Sequence, residues 1–147
     1  GNYLLATGAG VMLFDSKSKT YSTKYFNGKT VNLVFVHGKM IYVGIASEGL
    51  FRINSVTNNI EHIESPTGSD FFYTAQLNAK NNDLLFGTNS GIFRLTPNSK
   101  KVVSIAFDKN KFGGYSGVST KDKFGTCWFT LEKGILGITS SNEIVQI

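Results

Sequence analysis

The sequence predicts an all-β protein built from repeated hairpins, and three observations carry that prediction. One pattern occurs four times: an apolar strand, a short polar turn ending in glycine, and a second apolar strand. It covers residues 84–95, and again 4–14, 42–53 and 128–138. The anchoring glycines Gly10, Gly49, Gly91 and Gly134 are offset by 39, 42 and 43 residues, a spacing at which β-patterned repeats form propeller blades. Sixteen glycines with only two prolines provide many tight turns between short strands. No segment holds a 3.6-residue apolar period over about 11 residues, so essentially no helix is expected. The expected fold is a β-propeller fragment of about four blades, each a four-stranded antiparallel meander, with the first blade incomplete.

The elements follow in order. Residues 3–7 and 11–15 read as strands paired across Gly8-Ala9-Gly10, and 20–25 alternates as a third, more exposed strand after the turn cluster at 15–19. Residues 31–36 form an apolar run that turns at His37-Gly38-Lys39 into strands 41–45, 50–54 and 60–64. Residues 72–78 then precede strands 84–88, 92–96 and 101–107. The last unit reads as 117–120, 127–131, 135–139 and 143–147. The blade-like units are thus about 1–30, 31–71, 72–116 and 117–147 of a single domain, with fifteen strands in all. The second strand of each unit is nearly all apolar, as suits a strand packed on both faces. The fourth carries the most charge and belongs at the outer rim.

At 147 residues, 41% hydrophobic and 13% aromatic, the chain is long enough for one packed domain. No apolar run approaches the ~18 residues of a membrane-spanning helix, and no signal-peptide pattern opens the sequence. The net charge of +5 raises the question of nucleic acid. The lysines fall mostly in turns and at strand ends, however, and the only arginines, Arg52 and Arg94, occupy equivalent places in two repeats. Solvated turns explain the charge, and no nucleic-acid partner is expected. The single Cys127 has no partner for a disulfide and no metal-ligand companions, and reads as a small buried side chain.

The repeat is specific enough to compare with known families. Residues 84–95 and 42–53 pair an apolar strand and glycine with a polar turn, then Gly, an aliphatic residue, and an aromatic-Arg pair. Asp122-Lys123-Phe124-Gly125-Thr126-Cys127-Trp128 supplies an Asp-x-x-Gly-x-x-Trp turn. This pattern resembles the two-component regulator propeller repeat, and the resemblance covers essentially the whole chain. Two departures are that Ala6 and Thr130 replace the strand glycine, and that Trp appears once. The resemblance implies the periplasmic sensor region of a bacterial hybrid two-component histidine kinase, with any kinase activity elsewhere in the full-length protein. Propellers of that family have about seven blades, so the chain is expected to be a piece of a larger ring. Its first and last faces would then be open to neighbouring blades or domains of the parent protein, or to a homodimer.

Candidate chemistry is sparse. His62 lies near Glu61 and Glu64, but strand alternation puts Glu61 on the opposite face, short of the three ligands of a catalytic zinc site. No Gly-x-Ser-x-Gly elbow is present, and the carboxylates are scattered over turns. The glycine-rich stretches at 8–10 and 113–117 are not followed by a helix that could hold a phosphate. No catalytic residue, metal or cofactor is expected, and Trp128 reads as core. Ligand recognition is the better expectation. In a propeller, the turns between second and third strands share a face with the connections between blades, and those connections are the longest loops here. Their aromatic and polar residues, Asp70, Phe71, Phe112 and Tyr115, are the candidate binding residues for a small molecule or oligosaccharide. The alternatives are a lyase of the streptogramin-lyase kind, which a cluster of His and acid on one face would favour, or a structural interaction scaffold.

Overall fold

The computed structural model describes residues 1–147 and contains fifteen strands and one helical turn. The first sheet is β1 (Asn2–Thr7), β2 (Gly10–Asp15) and β3 (Thr20–Tyr25). The second is β4 (Val31–His37), β5 (Met40–Ile45), β6 (Gly49–Asn54) and β7 (Ile60–Ile63). The third is β8 (Phe72–Asn78), β9 (Asp83–Thr88), β10 (Gly91–Leu95) and β11 (Val103–Ser104). After helix α1 (Lys109–Phe112), the fourth is β12 (Ser119–Lys121), β13 (Cys127–Leu131), β14 (Gly134–Ile138) and β15 (Ile144–Gln146). Each sheet is an antiparallel meander in chain order. Contacts run from β1 to β4, β4 to β8 and β8 to β12, so these strands line the inner edge of an arc that is not closed.

Three cores glue neighbouring sheets face to face. Val11, Val31, Ile41, Val43, Ile45 and Ile53 fill the space between the first and second. Leu33, Leu50, Ile63, Phe72, Phe86 and Phe93 fill the central interface, where Phe72 meets Phe86 at 5.5 Å and Phe93 at 6.1 Å between ring centroids. Each such ring pair adds about 0.5–1.5 kcal/mol to the burial of its area. Leu85, Ile92, Phe112, Phe129, Leu136 and Ile138 fill the last interface. Strand β9 is buried at every position because its alternate residues serve two interfaces, Leu84 and Phe86 one, Leu85 the other.

The repeated glycines have two different physical causes. Gly10, Gly49 and Gly91 have φ of 123°, 88° and 137°, which a side chain would strain. At Gly134 the reason is space: a Cβ there would lie 2.8 Å from the Phe112 ring and from the Ile147 carbonyl oxygen. In the first and third repeats a threonine completes the turn. Thr7 and Thr88 donate to the carbonyls of Gly10 and Gly91 at 2.8 and 2.9 Å and accept from the backbone N–H of Ala9 and Ser90.

Two expectations are corrected. A helical turn forms at Lys109–Phe112, where loop was expected. Asp108 accepts from the N–H groups of Asn110 and Lys111, and Gly113 closes the turn at φ 81°. A single capped turn is too short to register as a periodic pattern. The outer strand expected over 101–107 shrinks to β11. The segment before it is drawn away to the second sheet, where Glu64 N–H donates to the Lys100 carbonyl and Val102 N–H to the Glu64 carbonyl.

Candidate functional site

One rim of the arc is built from the turns that carry the repeated glycines and the connections between sheets. Backbone bonds tie them together: Gly28 N–H to the Ala9 carbonyl, Ala46 to Thr30, Asn89 to Phe71 and Ser116 to Thr88. Side chains add to this, with Lys29 against Glu48 at 2.6 Å and Lys109 donating to the Ser90 carbonyl at 2.6 Å. These loops are braced by the scaffold, which is the condition for presenting a fixed surface.

The four sequence-derived candidates divide here. Asp70 is fully buried and accepts from the Ser90 hydroxyl at 2.5 Å and more weakly from Thr67 N–H at 3.4 Å. Burial pushes its carboxyl up, and the hydroxyls of Ser90, Ser65 and Thr67 outweigh this and hold it below the usual value. Its role is to clamp the 65–70 loop to the turn at Ser90. Phe112 is 2% exposed and packs in the core against the fourth sheet, because the α1 turn folds it inward. Neither side chain is offered to solvent. Phe71 is half-buried, and Tyr115 is 43% exposed.

Tyr73, which sequence reasoning passed over, joins them. Its ring stacks on Phe71 at 6.2 Å and 19° and meets Tyr115 at 5.3 Å. A register shift between Phe72 and Thr74 explains the omission: alternation from the core-facing Ala75 and Leu77 would turn Tyr73 inward, but Phe72 takes that place and Tyr73 lies beside Phe71. Burial first, and the Tyr115 phenol second, raise the Tyr73 hydroxyl above its ordinary pKa. Tyr115 is placed by its own N–H, which donates to the Glu132 carboxylate at 3.3 Å, and its ring lies over Gly117, where a Cβ would meet it at 2.9 Å. The result is a row of three aromatic rings at one rim, with polar loop groups beside it.

Other residues singled out in the sequence are placed as follows. His62 packs edge-on to Phe51 at 4.9 Å, and its Nε2 lies 3.1 Å from the Glu48 carbonyl. No group of three His, Cys, Asp or Glu side chains converges as metal ligands would. Cys127 is buried, and that burial raises its thiol pKa. Trp128, expected in the core, is instead half-buried on the outer side of the fourth sheet, where no further sheet covers it. It lies over Gly137, lines an apolar groove of about 330 Å3 with Val118, Ile135 and Ile147, and donates to Asp122 at 2.8 Å. A second concavity, polar and unforeseen, opens between the second and third sheets at the opposite rim.

Set against known proteins, this geometry has clear counterparts. No family model matches the chain, and no curated protein matches it. Solved structures do. An extracellular domain from B. thetaiotaomicron, described as part of a hybrid two component system, is 18% identical with a TM-score of 0.76 over 98% of this chain and 21% of its own. Another, described as part of a one component system of the same organism, is 17% identical with a TM-score of 0.80 over 99% and 20%. The chain is a β-propeller segment. PorZ of Porphyromonas gingivalis, a bacterial surface component of the type-IX secretion system, shares 16% identity and a TM-score of 0.67 over 99% of this segment and 19% of its own length. Identities this low establish the shared fold, and the segment spans about a fifth of the length of each of these proteins.

Proposed function

We propose that this propeller segment belongs to the extracytoplasmic, ligand-sensing region of a bacterial two-component receptor, and that it binds rather than catalyses. The observation that carries the reading is the row of Phe71, Tyr73 and Tyr115 on a rim whose loops are braced by hydrogen bonds. Flat apolar faces beside polar loop groups fit the alternating C–H and hydroxyl surfaces of an oligosaccharide. The likeness to extracellular domains described as parts of two-component systems supports the location and the signalling role. A bound ligand would act by favouring one packing of this rim against neighbouring parts of the receptor.

A glycan array followed by titration tests it. A hit that weakens about tenfold or more in Tyr115→Ala or Phe71→Ala supports the reading, since loss of a central aromatic anchor is worth that much. Binding unchanged in both variants removes this rim as the site.

A further inference from the structure

On the rim opposite the aromatic row, the second and third sheets splay apart. Their facing surfaces are apolar near the loop rim, where Leu33, Leu50, Ile63 and Phe72 meet, and become polar below. The cleft there has a volume of about 390 Å3, within the range of small-molecule sites. Strands β6 and β7 supply Arg52 and Glu61 as a cross-strand pair, and β5 supplies Tyr42. Asn59 comes from the turn before β7, Asn82 and Asn98 from turns of the third sheet.

An ion pair stands at the centre of this cleft. Arg52, only 11% exposed along its side chain, places Nε and Nη2 on Glu61 Oε2 at 3.0 and 2.5 Å. Lys100 meets the other oxygen, Oε1, at 2.9 Å. The Arg52 guanidinium first, and the Lys100 ammonium second, hold the Glu61 carboxyl below its ordinary value. Two cations therefore share one carboxylate, Arg52 within the cleft and the largely exposed Lys100 beyond its lining. The Nη1 edge of Arg52 has no protein partner. The carboxamides of Asn59, Asn82 and Asn98 and the Tyr42 hydroxyl likewise bond to no protein group. Each carboxamide offers both a donor and an acceptor, as vicinal hydroxyls require, and a guanidinium edge matches a carboxylate.

We propose that this cleft binds a small hydroxylated carboxylate of the sugar-acid class, its carboxylate on Arg52 Nη1 and its hydroxyls on the asparagine carboxamides. The site is separate from the aromatic rim and does not depend on what that rim binds. Asn82 and Asn98 have φ of 59° and 64°, so glycine replaces either without backbone strain while deleting the carboxamide.

The test is an amide NMR titration of the chain with sodium galacturonate, with galactose as the neutral analogue and acetate as the bare carboxylate. The expected result is saturable shifts around Arg52, Asn59 and Asn98 with galacturonate in the millimolar range, and binding at least about tenfold weaker for galactose and for acetate. Arg52→Gln and Asn98→Gly each weaken galacturonate by about tenfold or more. Asn98→Gly leaves the Arg52–Glu61 pair intact, so it decides the matter even if Arg52→Gln unfolds. Tyr115→Ala leaves galacturonate binding unchanged, which separates this site from the rim. Absence of saturable shifts, galactose binding as tightly as galacturonate, or undiminished binding by Asn98→Gly would overturn the proposal.

Discussion

Asp122 is the residue whose local chemistry has the widest reach. One carboxylate oxygen accepts the N–H groups of Phe124 and Thr126 at 2.8 and 3.0 Å, and the other accepts the Trp128 indole at 2.8 Å. Gly125, at φ 87°, lets the turn close. The Asp-x-x-Gly-x-x-Trp spacing visible in the sequence is therefore a turn that ties its own exit strand to its start. The indole bond is the largest influence on the Asp122 carboxyl; burial opposes it, and the backbone N–H groups join the indole in holding the carboxyl below its ordinary value. A carboxyl whose folded pKa is depressed stabilises the fold fully above its unfolded value of about 3.9, and that contribution disappears as pH falls through the folded pKa. Because Trp128 is the only tryptophan, its indole N–H resonance and emission report the event directly. Both should change in a transition centred below about pH 3.9, and Asp122→Asn should abolish that transition. An identical titration in the variant would show that another group governs it.

At the scale of elements, the α1 turn explains why only part of the candidate site could be read in advance. Phe112 and Tyr115 look alike in sequence, two aromatics in one glycine-rich connection. They differ because Asp108 caps a helical turn that rotates Phe112 into the last core, whereas Tyr115 lies beyond Gly113 and stays outside. Phe112→Ala should therefore cost about 3–5 kcal/mol in urea denaturation, the range for emptying a packed aromatic site. Tyr115→Ala should stay within about 1 kcal/mol. Equal losses would mean that Tyr115 is also structural and would count against the aromatic rim. The strands themselves were legible because burial on both faces writes an apolar run, as in β9, and positive φ demands glycine, as at Gly91. Tyr73 was missed because alternation from Ala75 and Leu77 points it at the core, and the irregularity beside Phe72 that turns it out leaves no local sequence signal. The polar cleft was missed for a different reason. Arg52 and Glu61 meet across a strand pair, but Asn82 and Asn98 line the same cleft from another sheet, a distance in sequence that no local pattern encodes.

At the scale of the whole molecule, each sheet touches only the next, so the stability of the arc is close to a sum of neighbour terms. The second and third sheets have a partner on both faces. The first and fourth have one each, and their far sides carry exposed apolar residues such as Tyr3 at 58% and Ile147 at 73%. On the first sheet, Tyr3, Phe14 and Tyr21 cover one another in a cross-strand stack at 6.3 and 4.8 Å, which shields part of this open face. Edge strands β3, β11 and β15 add little burial. Opening free energy should therefore fall from the centre of the arc to its ends. Native-state hydrogen exchange should find the slowest amides in β5, β9 and β10, which surround the central Phe72–Phe86–Phe93 cluster, and the fastest strand amides in β3 and β15. Leu50→Ala, in the central core, should speed exchange in both middle sheets, because the residue it removes belongs to the interface they share. Ile135→Ala, on the open outer side, should alter exchange in the fourth sheet alone. Uniform protection across all four sheets would show one cooperative unit, and would mean that the open faces cost the arc less than their exposure implies.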